Sequence, residues 1–362
     1  MKKLLLLLAL AACQPLAAQT TTKLSAGKAN EYGLVYTLPA TAIDICLEAE
    51  LTEEHPGEFY NYARRHLGIT DAITADSRSA RLASVTMVPR GIPDPESRWL
   101  AQFKPGQTAS VLLDGNDVIL ALNYDEAPES TAPAVPAERP ASPTPLEGDA
   151  ARQAVTQDMA RSASVSKKAE LAAQRIFELR EMRSDLMSGQ ADNPPADGAA
   201  MKLVLDNIAA QEAALTAMFA GTTSTRTVVR RYTVVPDSTD ITGRVIARLS
   251  AVDGLLEPDN LAGSPVTLDF RVLEKGALPV DEKGQVKSFP KGGVAYRIPG
   301  RAQVSVSADG SPVASENFEV AQLGVVFGLN PALFTDKKAP YGATFSPETG
   351  ALISLTPLES AN

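Results

Sequence analysis

Apolar residues recur at every second position in two separate parts of the chain. In residues 20–125 the alternating apolar residues are Leu34, Tyr36, Leu38, Ile43, Ile45 and Leu47, and residues 82–88 form a further apolar run. Residues 222–362 contain similar stretches, among them "TRTVVRRYTVVP", "SPVTLDFRVLEKG" and "FEVAQLGVVFGL". A period of two is typical of strands that bury one face. We therefore predict an N-terminal β-rich domain over residues 20–125 and a C-terminal β-rich domain over residues 222–362.

Helical spacing replaces this alternation in residues 164–221. The first apolar stripe consists of Ala172, Ile176, Leu179, Met182 and Leu186, and the second of Met201, Leu205, Ile208, Leu215 and Phe219. Between the stripes, "SGQADNPPADG" holds a glycine and two prolines that can end one helix, and an aspartate that can begin the next. Two helices joined by a short loop lie antiparallel. The stripes span only two or three heptads, so they favour self-packing and docking on a sheet over a coiled coil or partner surface.

One shorter helix is predicted inside the N-terminal domain. Apolar residues of "PGEFYNYARRHLG" recur at helical spacing, and Gly68 can end the helix. The predicted fold class is therefore α+β, with mostly antiparallel β units and an antiparallel helical hairpin between them.

Residues 126–163 have a different composition. Six prolines fall between Pro128 and Pro145, surrounded by Ala, Ser, Thr and Glu, and no aromatic residue is present. Such a stretch buries too little apolar surface to offset its ordering entropy. We predict a Pro/Ala-rich flexible linker over these residues.

The first residues, 1–19, are typical of a secretory signal peptide. Lys2 and Lys3 precede a continuous apolar run over residues 4–12, and small residues follow. Two processing routes remain open: cleavage near Ala18 releases a soluble protein, whereas "LAAC" resembles a lipobox in which Cys13 is lipidated and anchors the chain. We predict an extracytoplasmic protein, located in the periplasm or, if Cys13 is lipidated, at the outer membrane.

Charge and cysteine content narrow the function classes. The net charge of −9 argues against nucleic-acid binding, which needs a clustered basic surface. Cys46 is the only cysteine besides Cys13, so it has no intrachain partner once the leader is removed. Its position in the alternating stretch "AIDICLEAE" predicts a small buried side chain in a strand.

Motifs of catalysis and cofactor binding are missing from the sequence. It contains no G-x-S-x-G, no G-x-G-x-x-G and no G-x-x-x-x-G-K-[ST] pattern. We therefore predict no catalytic, cofactor-binding or metal-binding residue and no cofactor. A spatially assembled Ser-His-Asp or paired-carboxylate site stays open, because such a site depends on geometry and not on sequence order.

Two features are candidate partner-binding sites. Arg226, Arg230 and Arg231 form a basic group that can meet an anionic partner such as lipopolysaccharide or a phospholipid head group. A charged strand face that blocks edge pairing is the favoured interpretation. Trp99, the only tryptophan, can stack on a sugar ring, but the low aromatic content favours a core role.

A short sequence echo links the two β-rich regions. Residues 33–39 read "GLVYTLP" and residues 293–299 read "GVAYRIP". Each is followed by another alternating stretch. We interpret the echo as a strand–turn–strand unit used twice, with chance similarity as the alternative.

Eight stretches spread over most of residues 30–356 carry a family resemblance. They are "GLVYTLPATAIDICLEAE", "GEFYNYARRHLG", "ELREMRSDLMSGQ", "PADGAAMKLVLDNI", "LTAMFAGTT", "GVAYRIPGRAQVSV", "VAQLGVVFGL" and "FSPETGALISL". They resemble an uncharacterised family of exported proteins from gut Gram-negative anaerobes, known only as a domain of unknown function. The resemblance implies export and assigns no catalytic residue. The long linker and Cys13 depart from the family's pattern.

Two functions from different classes remain open. The first is a non-catalytic binding or scaffolding protein of the cell envelope, whose partner is another envelope protein or a cell-wall component. The second is an envelope hydrolase that acts on peptide or glycan through a spatially assembled site. The missing motifs and the flexible linker favour the first, with membrane contact only through a lipid anchor at Cys13.

Overall fold

The computed structural model of the protein describes residues 34–101, 109–129, 132–192, 194–195, 197–336 and 339–358. The predicted signal peptide and Cys13 lie outside these residues. Helix accounts for 22% and strand for 45% of the structure, and the sheets are antiparallel. The predicted α+β class is therefore confirmed.

Twelve strands and five α-helices follow one another in the described residues. The strands are β1 (Leu34–His55), β2 (Ser77–Ala101), β3 (Val111–Leu113), β4 (Ile119–Leu122), β5 (Thr222–Val234), β6 (Ile241–Ser250), β7 (Gly254–Leu256), β8 (Ser264–Glu274), β9 (Val294–Ala308), β10 (Ser311–Leu329), β11 (Tyr341–Phe345) and β12 (Leu352–Pro357). The helices are α1 (Ala63–Leu67), α2 (Asp149–Ala154), α3 (Gln157–Arg161), α4 (Val165–Ser188) and α5 (Gly198–Ala220). Single 3-10 turns, Tyr60–Tyr62 and Pro331–Leu333, precede α1 and β11.

The strands form three sheets. Sheet I has the order β2-β1-β5, sheet II the order β10-β9-β8-β6-β7, and sheet III the order β12-β11-β4-β3. Sheet I joins strands from both sides of the predicted linker, because β1 pairs with β5 over thirteen residue pairs. The two β-rich regions predicted as separate domains thus share sheet I, and sheet III likewise contains strands of both.

The main core lies between sheets I and II. Ile43, Ile45 and Leu47 of β1 are buried against Phe270 and other apolar residues of sheet II. Alternation sends the residues between them to the opposite face. Cys46 lies on that opposite face and is also fully buried. The alternating pattern therefore located β1 correctly, and the prediction that Cys46 is a buried strand residue is confirmed.

Helices α4 and α5 form the predicted hairpin. Ser164 caps α4, its hydroxyl accepting from the Lys167 N–H, and Gly189 ends the helix with φ 75°. The Asp197 carboxylate caps α5 by accepting from a backbone N–H at 2.7 Å. The glycine and the aspartate predicted to end α4 and begin α5 do so, and Ser164 is a further cap; a side-chain cap is worth about 1 kcal/mol.

Part of the predicted linker is folded. Helices α2 and α3 lie at its C-terminal end; Ala154 and Met159 belong to the same apolar cluster as the helical hairpin, and Ala151 is also buried. Upstream, Arg139 pairs with Thr227 through two backbone hydrogen bonds of 2.8 and 3.2 Å. The predicted linker therefore contacts the outer edge of β5 at Arg139, and small alanines and backbone pairing supply contacts that the proline count did not reveal.

The sequence echo corresponds to a repeated local structure. In β1–β2, residues 94–97 of β2 bulge out opposite the single residue Leu38. In β9–β10, residues 321–324 of β10 bulge out opposite the single residue Pro299. Each bulge thus lies across from the end of an echo stretch.

A second feature is also repeated. The Thr37 N–H donates to the Asp117 carbonyl at 2.7 Å, and the Arg297 N–H donates to the Gly350 carbonyl at 2.9 Å. Both acceptor residues have a positive φ, 61° and 72°, at the tip of the short hairpin that follows each unit. The shared geometry supports the interpretation of one unit used twice.

Candidate functional site

The three arginines of the predicted basic group do not form one surface. Directly opposite residues in an antiparallel pair share a face. Arg231 lies opposite Cys46 on the outer face of sheet I, and its guanidinium is 3.9 Å from the Asp44 carboxylate. Arg226 and Arg230 lie opposite core residues of β1 and are exposed on the other face.

Trp99 is part of an aromatic cluster at the end of β2. Its ring stacks on Phe289, with centroids 6.0 Å apart and an angle of 9° between the planes. Phe289 in turn meets Phe327 edge to face. One face of the tryptophan is therefore occupied by protein, and the ring packs against the core of sheet III and the strand ends around it.

A buried polar network connects the two repeated units, and we call it the polar clasp. It consists of Thr41, Asp94, Ser97, Arg297, Gln322 and Glu348. Its first half centres on Arg297, which is one of the few buried charged residues. The Arg297 Nη2 donates to Asp94 Oδ2 at 2.5 Å and to Ser97 Oγ at 2.8 Å. Strand β9 of the second unit thereby holds the β2 bulge of the first.

The second half of the clasp centres on Thr41 of β1. Its hydroxyl donates to the Glu348 carbonyl and accepts from the Ala321 N–H, both at 3.0 Å. Its backbone exchanges two hydrogen bonds of 2.8 and 2.9 Å with the Gln322 amide. Strand β1 of the first unit thereby holds the β10 bulge of the second. Each of the two units thus forms hydrogen bonds to the bulge of the other.

Electrostatics keep the clasp charged. Burial raises the pKa of Asp94, but hydrogen bonds from Ser97 and the Glu96 N–H and the charge of Arg297 outweigh it, so the pKa lies below its usual value. Burial lowers the pKa of Arg297, which the Asp94 carboxylate partly offsets. An arginine stays protonated at any ordinary pH. The ion pair therefore stays charged and acts as a fixed contact between strands β2 and β9.

Sequence reasoning missed the clasp. Its members are 200 or more positions apart between the two units, as with Arg297 and Ser97. One cue was present: Arg297 is a charged residue inside the apolar echo stretch "GVAYRIP". Its partners, in "DPESR", carried no periodic signal.

The helical hairpin presents a different kind of surface at its tip. We define the tip as the described residues of 180–207, because every buried residue of α4 lies at or before Leu179 and every buried residue of α5 at or after Ile208. At about 1.5 Å per residue, the tip extends roughly 14 Å beyond Leu179. Met187 and Leu203 are 73% and 72% exposed there.

An ion-pair bridge stiffens the base of the tip. Arg180 and Arg183 of α4 donate to the two carboxylate oxygens of Glu212 on α5, at 2.6 and 2.9 Å. Glu212 interrupts the apolar stripe of α5 for this reason. The two helices are thus joined by charge at the point where their apolar contact becomes thin.

The described ranges contain neither a metal-binding cluster nor a membrane-spanning helix. Within them, no group of three or more His, Cys, Asp or Glu side chains is placed to hold a metal ion. None of the described helices has the length and apolar character needed to cross a membrane.

Comparison with known proteins identifies a family. The model of a family described as a domain of unknown function (DUF4831) matches residues 32–353. No curated protein and no solved structure matches the chain significantly.

Proposed function

The chain belongs to the DUF4831 family, a domain of unknown function, and we propose that it is a non-catalytic binding protein of the cell envelope. In this proposal the tip of the helical hairpin holds a protein partner, and the interlocked β units form the rigid body that carries the hairpin. The exposed apolar side chains of the tip are the observation on which the proposal rests.

Large apolar side chains at the tip favour a protein partner. Met187 and Leu203 are more exposed than almost all other large apolar residues described, and Met182 and Val204 are also exposed. They lie within about two turns of the loop that joins α4 and α5. Exposed apolar groups concentrated at one place are typical of interaction sites. Methionine adapts to different partner shapes because its side chain is unbranched and polarizable.

Rigid support favours the same function. A binding surface is most effective when its side chains are held in place before the partner arrives. The α5 base is tied to the body by the Phe59 N–H, which donates to the Met218 carbonyl at 2.7 Å, and by the Ile73 N–H, which donates to the Ala220 carbonyl at 2.8 Å. The ion pairs of Glu212 with Arg180 and Arg183 then hold the two helices together at the base of the tip.

Crosslinking in native envelope fractions tests the proposal. We expect a protein partner to be crosslinked by the wild-type chain and lost in a Met187→Glu/Leu203→Glu variant. The matched control is Val252→Glu/Leu261→Glu, which changes two exposed apolar residues of the β6–β8 region. Equal recovery of the same protein by the tip variant and the wild type would show that the tip is not the binding surface.

Cell fractionation tests the envelope location independently. We expect the chain in the periplasmic or outer-membrane fraction, with residues 1–19 removed or Cys13 lipidated. Mass spectrometry of the N-terminus distinguishes the two routes. A full-length product with Met1 in the cytoplasmic fraction would contradict the proposed location.

A further inference from the structure

The loop between β8 and β9 has a structure of its own. It covers residues 275–293 and contains a small hairpin in which Val280 and Val286 form an antiparallel bridge. The Asp281 N–H donates to the Gln285 carbonyl and the Lys287 N–H to the Pro279 carbonyl, both at 2.8 Å. Loops longer than about 12–15 residues are uncommon in compact domains and often carry a function.

The base of this loop is fixed to the body. Phe289 stacks on Trp99, and a methyl group at Gly328 would lie only 2.7 Å from the Phe289 ring. The ring therefore sits directly on the β10 backbone, where only glycine leaves room for it. The loop projects from a rigid attachment point.

Lysines are concentrated in this loop. The described residues contain seven lysines, and four of them are Lys275, Lys283, Lys287 and Lys291. None of these four makes an ion pair within the described ranges, whereas Lys167, Lys168 and Lys202 each do. With Asp281 and Glu282, the loop carries two acidic residues against four basic ones, on a chain whose net charge is −9.

Exposed aliphatic side chains accompany the lysines. Val280 and Val286 are 55% and 61% exposed, and Leu278 is also exposed. Because the two valines are bridge partners, their side chains point to the same face of the small hairpin. The loop thus combines an aliphatic face with flexible positive charges.

The loop lies at the end of the molecule where the described chain begins. Trp99, whose ring stacks on Phe289, is two residues from Ala101. Ala101 in turn pairs with Leu34, the first residue of β1. Leu34, the first described residue, therefore lies at the same end of the molecule as the base of this loop. A lipid anchor at Cys13 would bring the same end of the molecule toward the bilayer.

We infer that residues 275–293 bind the surface of a bilayer that contains anionic phospholipids. The lysines contact the phosphate groups, and Val280 and Val286 enter the head-group region. Lysine ammonium groups are point charges on flexible stems, which suit a diffuse anionic surface better than a single carboxylate. Apolar side chains beside basic ones are typical of peripheral membrane contacts. This inference is independent of the partner proposed for the hairpin tip.

Vesicle co-sedimentation tests the inference. The chain without residues 1–19, none of which belongs to a described strand or helix, is mixed with phosphatidylcholine vesicles with and without phosphatidylglycerol. We expect binding only when phosphatidylglycerol is present. Lys283→Gln/Lys287→Gln should weaken it about 30-fold, which corresponds to about fivefold, or about 1 kcal/mol, per lysine.

Two further variants keep the test decisive. Val280→Ser/Val286→Ser should also weaken binding, whereas Lys167→Gln/Lys168→Gln removes the same charge from α4 and should change it less than twofold. Unfolding midpoints within error of the wild type show that each variant is folded. Binding that ignores phosphatidylglycerol, or an equal loss in the α4 control, would overturn the inference. The inference would also be overturned if the loop bound soluble polyglutamate but did not bind vesicles.

Discussion

The Asp94–Arg297 ion pair of the polar clasp yields an asymmetric prediction. In an Asp94→Asn variant the Arg297 charge remains, with only 8% of its side chain exposed. Its Nε already makes no hydrogen bond within the described residues, and a neutral amide at position 94 leaves the guanidinium without an opposite charge. Removing one partner from a buried pair costs about 3–5 kcal/mol. We expect a loss of free energy of unfolding in this range.

The reverse variant, Arg297→Met, should cost less. Asp94 keeps its hydrogen bonds from the Ser97 hydroxyl at 2.8 Å and from the Glu96 N–H at 3.0 Å. Its side chain is 22% exposed, so water reaches the carboxylate left behind. The loss of a charge-assisted hydrogen bond then costs about 1.5–3 kcal/mol. In the double variant no buried charge is stranded, and part of the Asp94→Asn loss should be recovered.

Urea unfolding of the wild type, both single variants and the double variant measures these terms as a double-mutant cycle. Because the pKa of Asp94 in the folded protein lies below its usual value, its contribution is present at neutral pH. It is lost as the pH falls through that lowered pKa. In the Asp94→Asn variant, the free energy of unfolding should therefore fall less steeply than in the wild type as the pH is lowered. Equal losses in the two single variants, or a purely additive double variant, would refute this view of the clasp.

Three further predictions concern single positions. Gly91→Ala should destabilise the protein by about 2 kcal/mol or more, because the new methyl group would lie 1.9 Å from the Pro347 carbonyl, whereas Gly115→Ala meets no atom within 4 Å; thermal unfolding of the pair checks this. Tyr36→Phe should cost about 1–3 kcal/mol in urea unfolding, because the buried β9 N–H that donates to the Tyr36 hydroxyl at 2.6 Å loses its acceptor. Cys46 should resist alkylation in the native protein and react only at denaturant concentrations that unfold sheet I, since its side chain is fully buried; rapid labelling under native conditions would contradict the buried position.

Periodic burial explains which parts of the fold were predictable. The hairpin of α4 and α5 buries a regular stripe, so its sequence carries a clear period; β1 shows an alternation of apolar residues although both of its faces are buried over residues 36–47. Strand β2 was harder to foresee, because only residues 82–88 suggested it, yet it runs over Ser77–Ala101. Pro89 and Pro93 stand in it because β2 is an edge strand of sheet I and bulges beside Pro93.

Long-range polar contacts explain what was not predictable. The clasp depends on bulges that bring residues from distant parts of the chain together, and a single sequence does not show which polar residues meet. The arginines at β5 lie on two faces of sheet I, because Arg231 and its neighbour Arg230 alternate between faces along the strand. Helices α2 and α3 were missed because Ala151 and Ala154 bury little area each, although they fit closely against their neighbours.

The partners of β1 have a consequence for the timing of folding. The hydroxyl of Tyr36 bonds to Ala295, 259 positions later, and the hydroxyl of Thr41 bonds to Glu348, 307 positions later. These hydrogen bonds of β1 can therefore form only after the last strands have been synthesised. Chains dominated by such distant pairings fold slowly. Strand β1 can pair with β2 once Ala101 has been made, but the partners of its Tyr36 and Thr41 side chains follow near the end of the chain, so the packing of this strand is complete only when almost the whole chain is present.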